Sequence, residues 1–108
     1  MNIVIEKPML GKGSICEDIM RSLPQWFGIE AAIIQYVKEI EQFPTFIEME
    51  DNQAVGFLTI KKHNQFAAEI YVMGVLLQMH RKGIGSCLIE QAEKFIKRNG
   101  IEYLQVSW

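Results

Sequence analysis

FAAEIYVMGVLLQMHRKGIGS, residues 66–86, is the stretch that decides the fold. An apolar run from Phe66 to Val75 reads as a strand and gives way to the turn His80-Arg81-Lys82-Gly83-Ile84-Gly85-Ser86. Ile84, Leu88, Ile89, Ala92, Phe95 and Ile96 then recur with helical period between Lys82 and Asn99, and Gly100 is a suitable stop. A strand that feeds a Gly-x-Gly turn opening into a helix is a construction for holding phosphate. The first amides of the helix have no intrahelical partner and carry the positive end of its dipole. Gly83-x-Gly85 alone is a weak motif, since such glycines also serve tight turns and close packing. Its setting between strand and helix, beside two cationic side chains, strengthens it.

Outward from that stretch, Ile101 to Val106 is a last strand. On the N-terminal side, Thr45 to Glu50 and Val55 to Ile60 form a hairpin through Asp51-Asn52-Gln53, and Lys61 to Gln65 is a polar turn. Ile33, Ile34, Val37 and Ile40 mark a helix within Ile29 to Phe43, ended by Pro44. An earlier helix bears Ile15, Ile19, Met20 and Leu23 and stops near Pro24. Ser14 and Glu17 have capping-box spacing at its start. Asn2 to Glu6 is a first strand. The order is β-α-α-β-β-β-α-β, a mixed α/β plan, and the 108 residues fit a single domain spanning 1–108.

Eleven basic and thirteen acidic residues give a net charge of -2, so nothing global draws the chain to nucleic acid or an anionic membrane. Any anion site must be local. Cys16 and Cys87 have no metal-ligand spacing and cannot make a disulfide framework, so no metal is expected. Both read as small buried hydrophobes, and free thiols suit a reducing cytoplasm. The N-terminus lacks a signal-peptide run, and no segment approaches the ~20 apolar residues that span a bilayer. A cytoplasmic location is the expectation.

Ala68 to Val75, then Gln78 to Ser86, then the helix, resemble the acetyl-CoA-binding motif A of the GNAT superfamily of N-acetyltransferases. The element order resembles that fold up to its fifth strand: a mixed, mainly antiparallel sheet of about five strands with flanking helices. The family signature is Arg or Gln, two residues, Gly, one residue, then Gly or Ala; its first position here is His80. The resemblance implies that the main-chain amides of Arg81, Lys82, Gly83, Ile84, Gly85 and Ser86 hold the pyrophosphate of acetyl-CoA. It also implies that Met73, Gly74 and Val75 pair with the pantetheine arm, in a gap between their strand and Leu104 to Val106. An amide-bearing arm can stand in for a missing strand.

Arg81 and Lys82 at a helix start oppose the dipole unless an anion is bound there, which favours phosphate contact over a solvated role. His80 is read first as a solvent-facing turn histidine and second as a cofactor contact. Glu69, a carboxylate in an apolar strand, faces either solvent or a functional cleft. By resemblance it is the general base that takes a proton from the acceptor ammonium. Trp26 and Phe27 sit where the family builds part of its acceptor site, although aromatics there also seal cores. Tyr71 and Tyr103 are read as packing residues and His63 as a surface residue.

Relatives of this kind continue past the fifth strand and commonly supply a tyrosine as general acid, so the chain reads as shortened. A fifth strand bearing Leu104, Val106 and Trp108 would be sticky, which suggests a homodimer. The function implied is acetyl transfer from acetyl-CoA to a primary amine, small-molecule or peptide, by direct attack in a ternary complex. The alternative is a non-catalytic acyl-CoA-binding or assembly module. A dinucleotide-binding domain is disfavoured, because its glycine turn should follow the first strand.

Overall fold

The computed structural model describes residues 3–106. Five strands form one sheet in the order β1-β2-β3-β4-β5: Ile3–Ile5, Thr45–Glu50, Gln53–Lys62, Ala67–Val75 and Tyr103–Val106. Each neighbouring pair among the first four is antiparallel, and β5 runs parallel to β4. Helices α1 (Gly13–Arg21) and α2 (Glu30–Ile40) lie between β1 and β2 in sequence, and α3 (Ile84–Arg98) links β4 to β5. This is the element order and mainly antiparallel sheet expected from the sequence. The expected dimer contact at Val106 and Trp108 depends on side chains outside the described residues.

The two faces of the sheet carry different helices. A Cβ on Gly74 would meet Phe57, Ile19 and Leu23, which puts α1 against that face, whereas one on Gly56 would meet Ile84 and Leu88 of α3. Burial follows the helical stripes: Cys16, Ile19 and Met20 on α1, Ile33 and Ile40 on α2, and Ile84, Leu88, Ala92 and Ile96 on α3. Thr45 and Thr59, buried opposite each other, satisfy one another through a 2.9 Å hydroxyl contact.

Strands β3 and β4 lose register once. Thr59 faces Val72 but Ile60 faces Ile70, so Tyr71 is an extra residue in β4. Such a bulge bends its strand and increases the local twist. Alternation along β3 places Lys61, and hence its partner Glu69, on the α1 and α2 face.

Two local readings are corrected. Ser14 and Glu17 make no capping box: α1 begins at Gly13, whose N-H donates at 3.0 Å to Glu41 just beyond α2, while Glu17 accepts from Arg21 Nε at 2.7 Å. A carboxylate from a neighbouring helix end does the cap's work, which spacing within one segment cannot reveal. Cys87 is exposed, because it lies beyond the buried stripe of α3. His63 is exposed, as read, and also has a partner, described below. The boundaries also tighten, with α2 shorter than Ile29 to Phe43 and β4 starting after Phe66.

Candidate active site

The parallel pairing of β5 with β4 covers only Ala67 to Ile70. From Tyr71 to Val75, β4 has no neighbouring strand on that side among the described residues, so its edge opens onto a cleft of about 620 Å³. The bulge at Tyr71 falls where the pairing stops. Met73, Gly74 and Val75 line this cleft together with Arg81, Gly83, Ile84, Gly85 and Ser86. One cavity therefore joins an unpaired strand edge to the start of α3.

That helix start is uncapped. Gly83 adopts the left-handed conformation at φ 78°, and no side chain caps the helix. Cys87 N-H to the Gly83 carbonyl, at 3.0 Å, is the first bond into the helix. The amides of Gly83 to Ser86 thus precede the ladder, where an anion is most favoured. Arg81 is also left-handed, at φ 68°, a conformation that costs a non-glycine residue about 1–2 kcal/mol. This turn is held in a shape its sequence does not prefer locally. A Cβ on Gly85 would sit 3.5 Å from the methyl of Met73, so glycine keeps the cradle open rather than relieving a clash.

His80 fastens the turn to the strand. Its exposed ring donates from Nε2 to the Val75 carbonyl at 2.8 Å and meets Trp26 edge-on, with centroids 5.6 Å apart. Solvent exposure was foreseen, but its bond to the end of β4 was not. Trp26, 58% exposed, and the partly buried Phe27 form the opposite wall with Leu23 and Tyr36. The sequence named the two aromatics and missed Leu23, Tyr36, Tyr71 and Met79, whose apolar character reads equally well as core.

Two expected residues stand apart. Lys82 lines a different cavity, on the α3 side. Glu69 is buried in β4 but does not line the cleft, and one of its carboxylate oxygens lies 2.9 Å from His63 Nε2. Between Glu69 and the cleft sits Tyr71. Its hydroxyl donates to Glu39 of α2, and Lys61 Nζ lies 4.0 Å from Glu39 and 5.3 Å from the Tyr71 ring centroid. Burial first, and then the Glu39 carboxylate, push the Tyr71 phenol well above its ordinary value, so it stays protonated through the neutral range. Tyr36 and Phe43 meet the Tyr71 ring edge-on. A lone strand tyrosine in the sequence is thus the centre of a polar and aromatic cluster.

Residues 14–107 match the acetyltransferase (GNAT) family. Among solved structures, aminoglycoside N-acetyltransferase AAC(6')-Iy bound to a bisubstrate analogue is 18% identical, with 100% of this chain aligned to 80% of that one and a TM-score of 0.75. A GNAT family protein of Streptococcus pneumoniae gives 16% identity, 99% and 76% coverage and a TM-score of 0.79. The PaiA N-acetyltransferase of Thermoplasma acidophilum, in complex with coenzyme A, gives 22%, 94% and 76%, and 0.73. Among curated proteins no sequence relative is found. No helix among the described residues is long and apolar enough to cross a membrane.

Proposed function

The chain belongs to the GNAT family of acetyltransferases, which use acetyl-CoA as acyl donor, and on that premise we propose that it transfers acetyl to a primary amine by direct attack in a ternary complex. The observation that carries this reading is the continuity of the cleft, from the open edge of β4 at Tyr71 to Val75 into the uncapped start of α3.

In this reading the pantetheine arm pairs with Met73 to Val75, and the pyrophosphate rests on the amides from Arg81 to Ser86. An anion there relieves the dipole and repays the strain at Arg81. The acceptor enters past Trp26 and Phe27, toward the acidic side formed by Glu39 and Glu69. Carboxylates on that side suit an acceptor that arrives as an ammonium ion. Glu69 takes its proton through a bridging water, since its side chain stands outside the cleft. The amine nitrogen then bonds to the thioester carbonyl carbon, strand amides hold the oxyanion, and the carbon–sulfur bond breaks. The thiolate leaves and takes up a proton.

Among the solved neighbours are enzymes whose names state aminoglycoside and ribosomal-protein alanine acceptors. A small-molecule or peptide amine fits the cleft described here equally.

One observation favours the second reading, an acyl-CoA-binding module without turnover: Glu69 is engaged by His63 rather than presented to the cleft. Calorimetric titration with acetyl-CoA, followed by thiol release with a panel of primary amines, separates the two. Tight binding with amine-dependent thiol release is expected; binding without release leaves only the module, and a folded sample that binds no acetyl-CoA overturns both.

We also propose that β5, which ends the sheet, pairs with a second copy. Sedimentation of the wild type and Leu104→Lys checks this: a dimer that the substitution dissociates is expected, and a monomeric wild type rejects the contact.

A further inference from the structure

The α3 face of the sheet holds a second cavity, of about 370 Å³, bordered by Ile3 and Ile5 of β1, Glu48 of β2, and Lys82, Ile84 and Glu90 around the first turns of α3. Gly56 explains how it forms. Glu48 and Gly56 are paired across β2 and β3, and a Cβ on Gly56 would lie 3.1 Å from Ile84 and 3.3 Å from Leu88. The missing side chain lets α3 settle close to the sheet, bringing its first turns beside Glu48.

Glu48 is 1% exposed, and its Oε2 has no hydrogen-bond partner. A carboxylate stripped of water and left unpaired is among the costliest arrangements a folded chain can hold, and natural structures keep few of them. Alternation along β2 sets Glu50 on the same face, and its Oε2 is likewise unpartnered. Glu90 also borders the cavity but is paired with Lys94 at 3.3 Å, and Lys82 borders it from an exposed side chain, so Glu48 carries the negative charge of the interior. The rest of the lining that matters is aliphatic: Ile3, Ile5 and Ile84.

We propose that this cavity binds a small alkylammonium ion, with its charged head on the Glu48 carboxylate and its chain against Ile3, Ile5 and Ile84. An ammonium head supplies the donors that Glu48 lacks, and the aliphatic walls exclude the water that would compete for it. A bare metal ion is a poorer match, because no group of three or more His, Cys, Asp or Glu side chains among the described residues could hold one. An anion would meet carboxylates. The site stands independently of the acetyl-transfer reading, although Gly83 and Ile84 border both cavities.

Titration with n-butylammonium chloride, followed by NMR of the isoleucine methyl groups, tests it in the intact chain. Saturable shifts are expected at Ile3, Ile5 and Ile84, with the exposed Ile34 unmoved. The same concentration of 1-butanol, equal in length but uncharged, should move none of them. Glu48→Gln keeps the shape of the side chain, removes its charge, and should weaken binding by about tenfold or more. Methyls that stay unmoved, or that shift equally with 1-butanol or in Glu48→Gln, overturn the proposal. So does a response confined to Ile70, which lines the other cleft and would report the acceptor site instead.

Discussion

The imidazole of His63, in the turn before β4, lies 2.9 Å from a carboxylate oxygen of Glu69 within the strand. Asn64 shapes that turn by accepting from the amides of Phe66 and Ala67 at 2.7 and 3.0 Å. The proposed general base is thereby held by a group from an adjacent turn rather than from the cleft.

If Glu69 takes the acceptor's proton, Glu69→Gln should lower kcat by about 10²-fold or more while leaving acetyl-CoA affinity unchanged. Steady-state rates beside calorimetric titration check this. A variant with unaltered kcat removes Glu69 from the reaction. His63→Asn, which removes the imidazole beside Glu69, should change kcat with little change in acetyl-CoA binding.

Gly85 and Gly74 should respond in opposite ways to a single methyl. Gly85→Ala meets only ordinary contact with Met73 at 3.5 Å, so folding should be unharmed or improved by up to about 1 kcal/mol. The new methyl stands in the proposed phosphate cradle, and acetyl-CoA affinity should fall. Gly74→Ala places its Cβ 2.9 Å from Phe57, a fully buried ring, and should destabilise the fold by about 1–3 kcal/mol. Denaturant melts and acetyl-CoA titration of both variants separate the two roles.

The thiols should differ sharply. Cys16 is fully buried, and loss of hydration pushes its pKa up to about 12, whereas Cys87 is exposed. Under native conditions at neutral pH, iodoacetamide should label Cys87 alone, with Cys16 following only after unfolding. Peptide mapping by mass spectrometry reads the result directly.

Burial raises the pKa of Glu48 above its ordinary 4.5. As pH climbs above that value, the unfolded chain releases this proton while the folded chain retains it. Stability from this residue therefore falls between the unfolded and folded values and is highest below both. Glu48→Gln should remove the slope, gaining about 1 kcal/mol at pH 8 and little at pH 4. Thermal melts across that range check the sign.

Fold and site differed in how far they could be read from residue order. Periodicity along Ile84 to Ile96 and the glycine turn before it placed α3 and its start correctly, because both signals lie within one short segment. The Gly13 cap by Glu41, the His63 contact with Glu69 and the Tyr71 contact with Glu39 join residues from different elements. Periodicity carries no information about such pairs. Cys87 was misread because adjacent positions on a helix differ by about 100°, so an apolar run of three cannot all face the core.

The extra residue at Tyr71 acts as a change of phase in β4. In a regular, unbulged strand of the same sequence, counting back from Val72 by twos would turn Glu69 toward α3, away from the aromatic wall and from Glu39. Deleting Tyr71 would straighten the strand yet leave Ile70 opposite Ile60 and Glu69 opposite Lys61, whereas ironing out the bulge with Tyr71 kept would exchange inside and outside over the strand's first half. The two ends of β4 thus keep separate registers, one set by Gly56 to Thr59 and the other by Ile60 to Lys62.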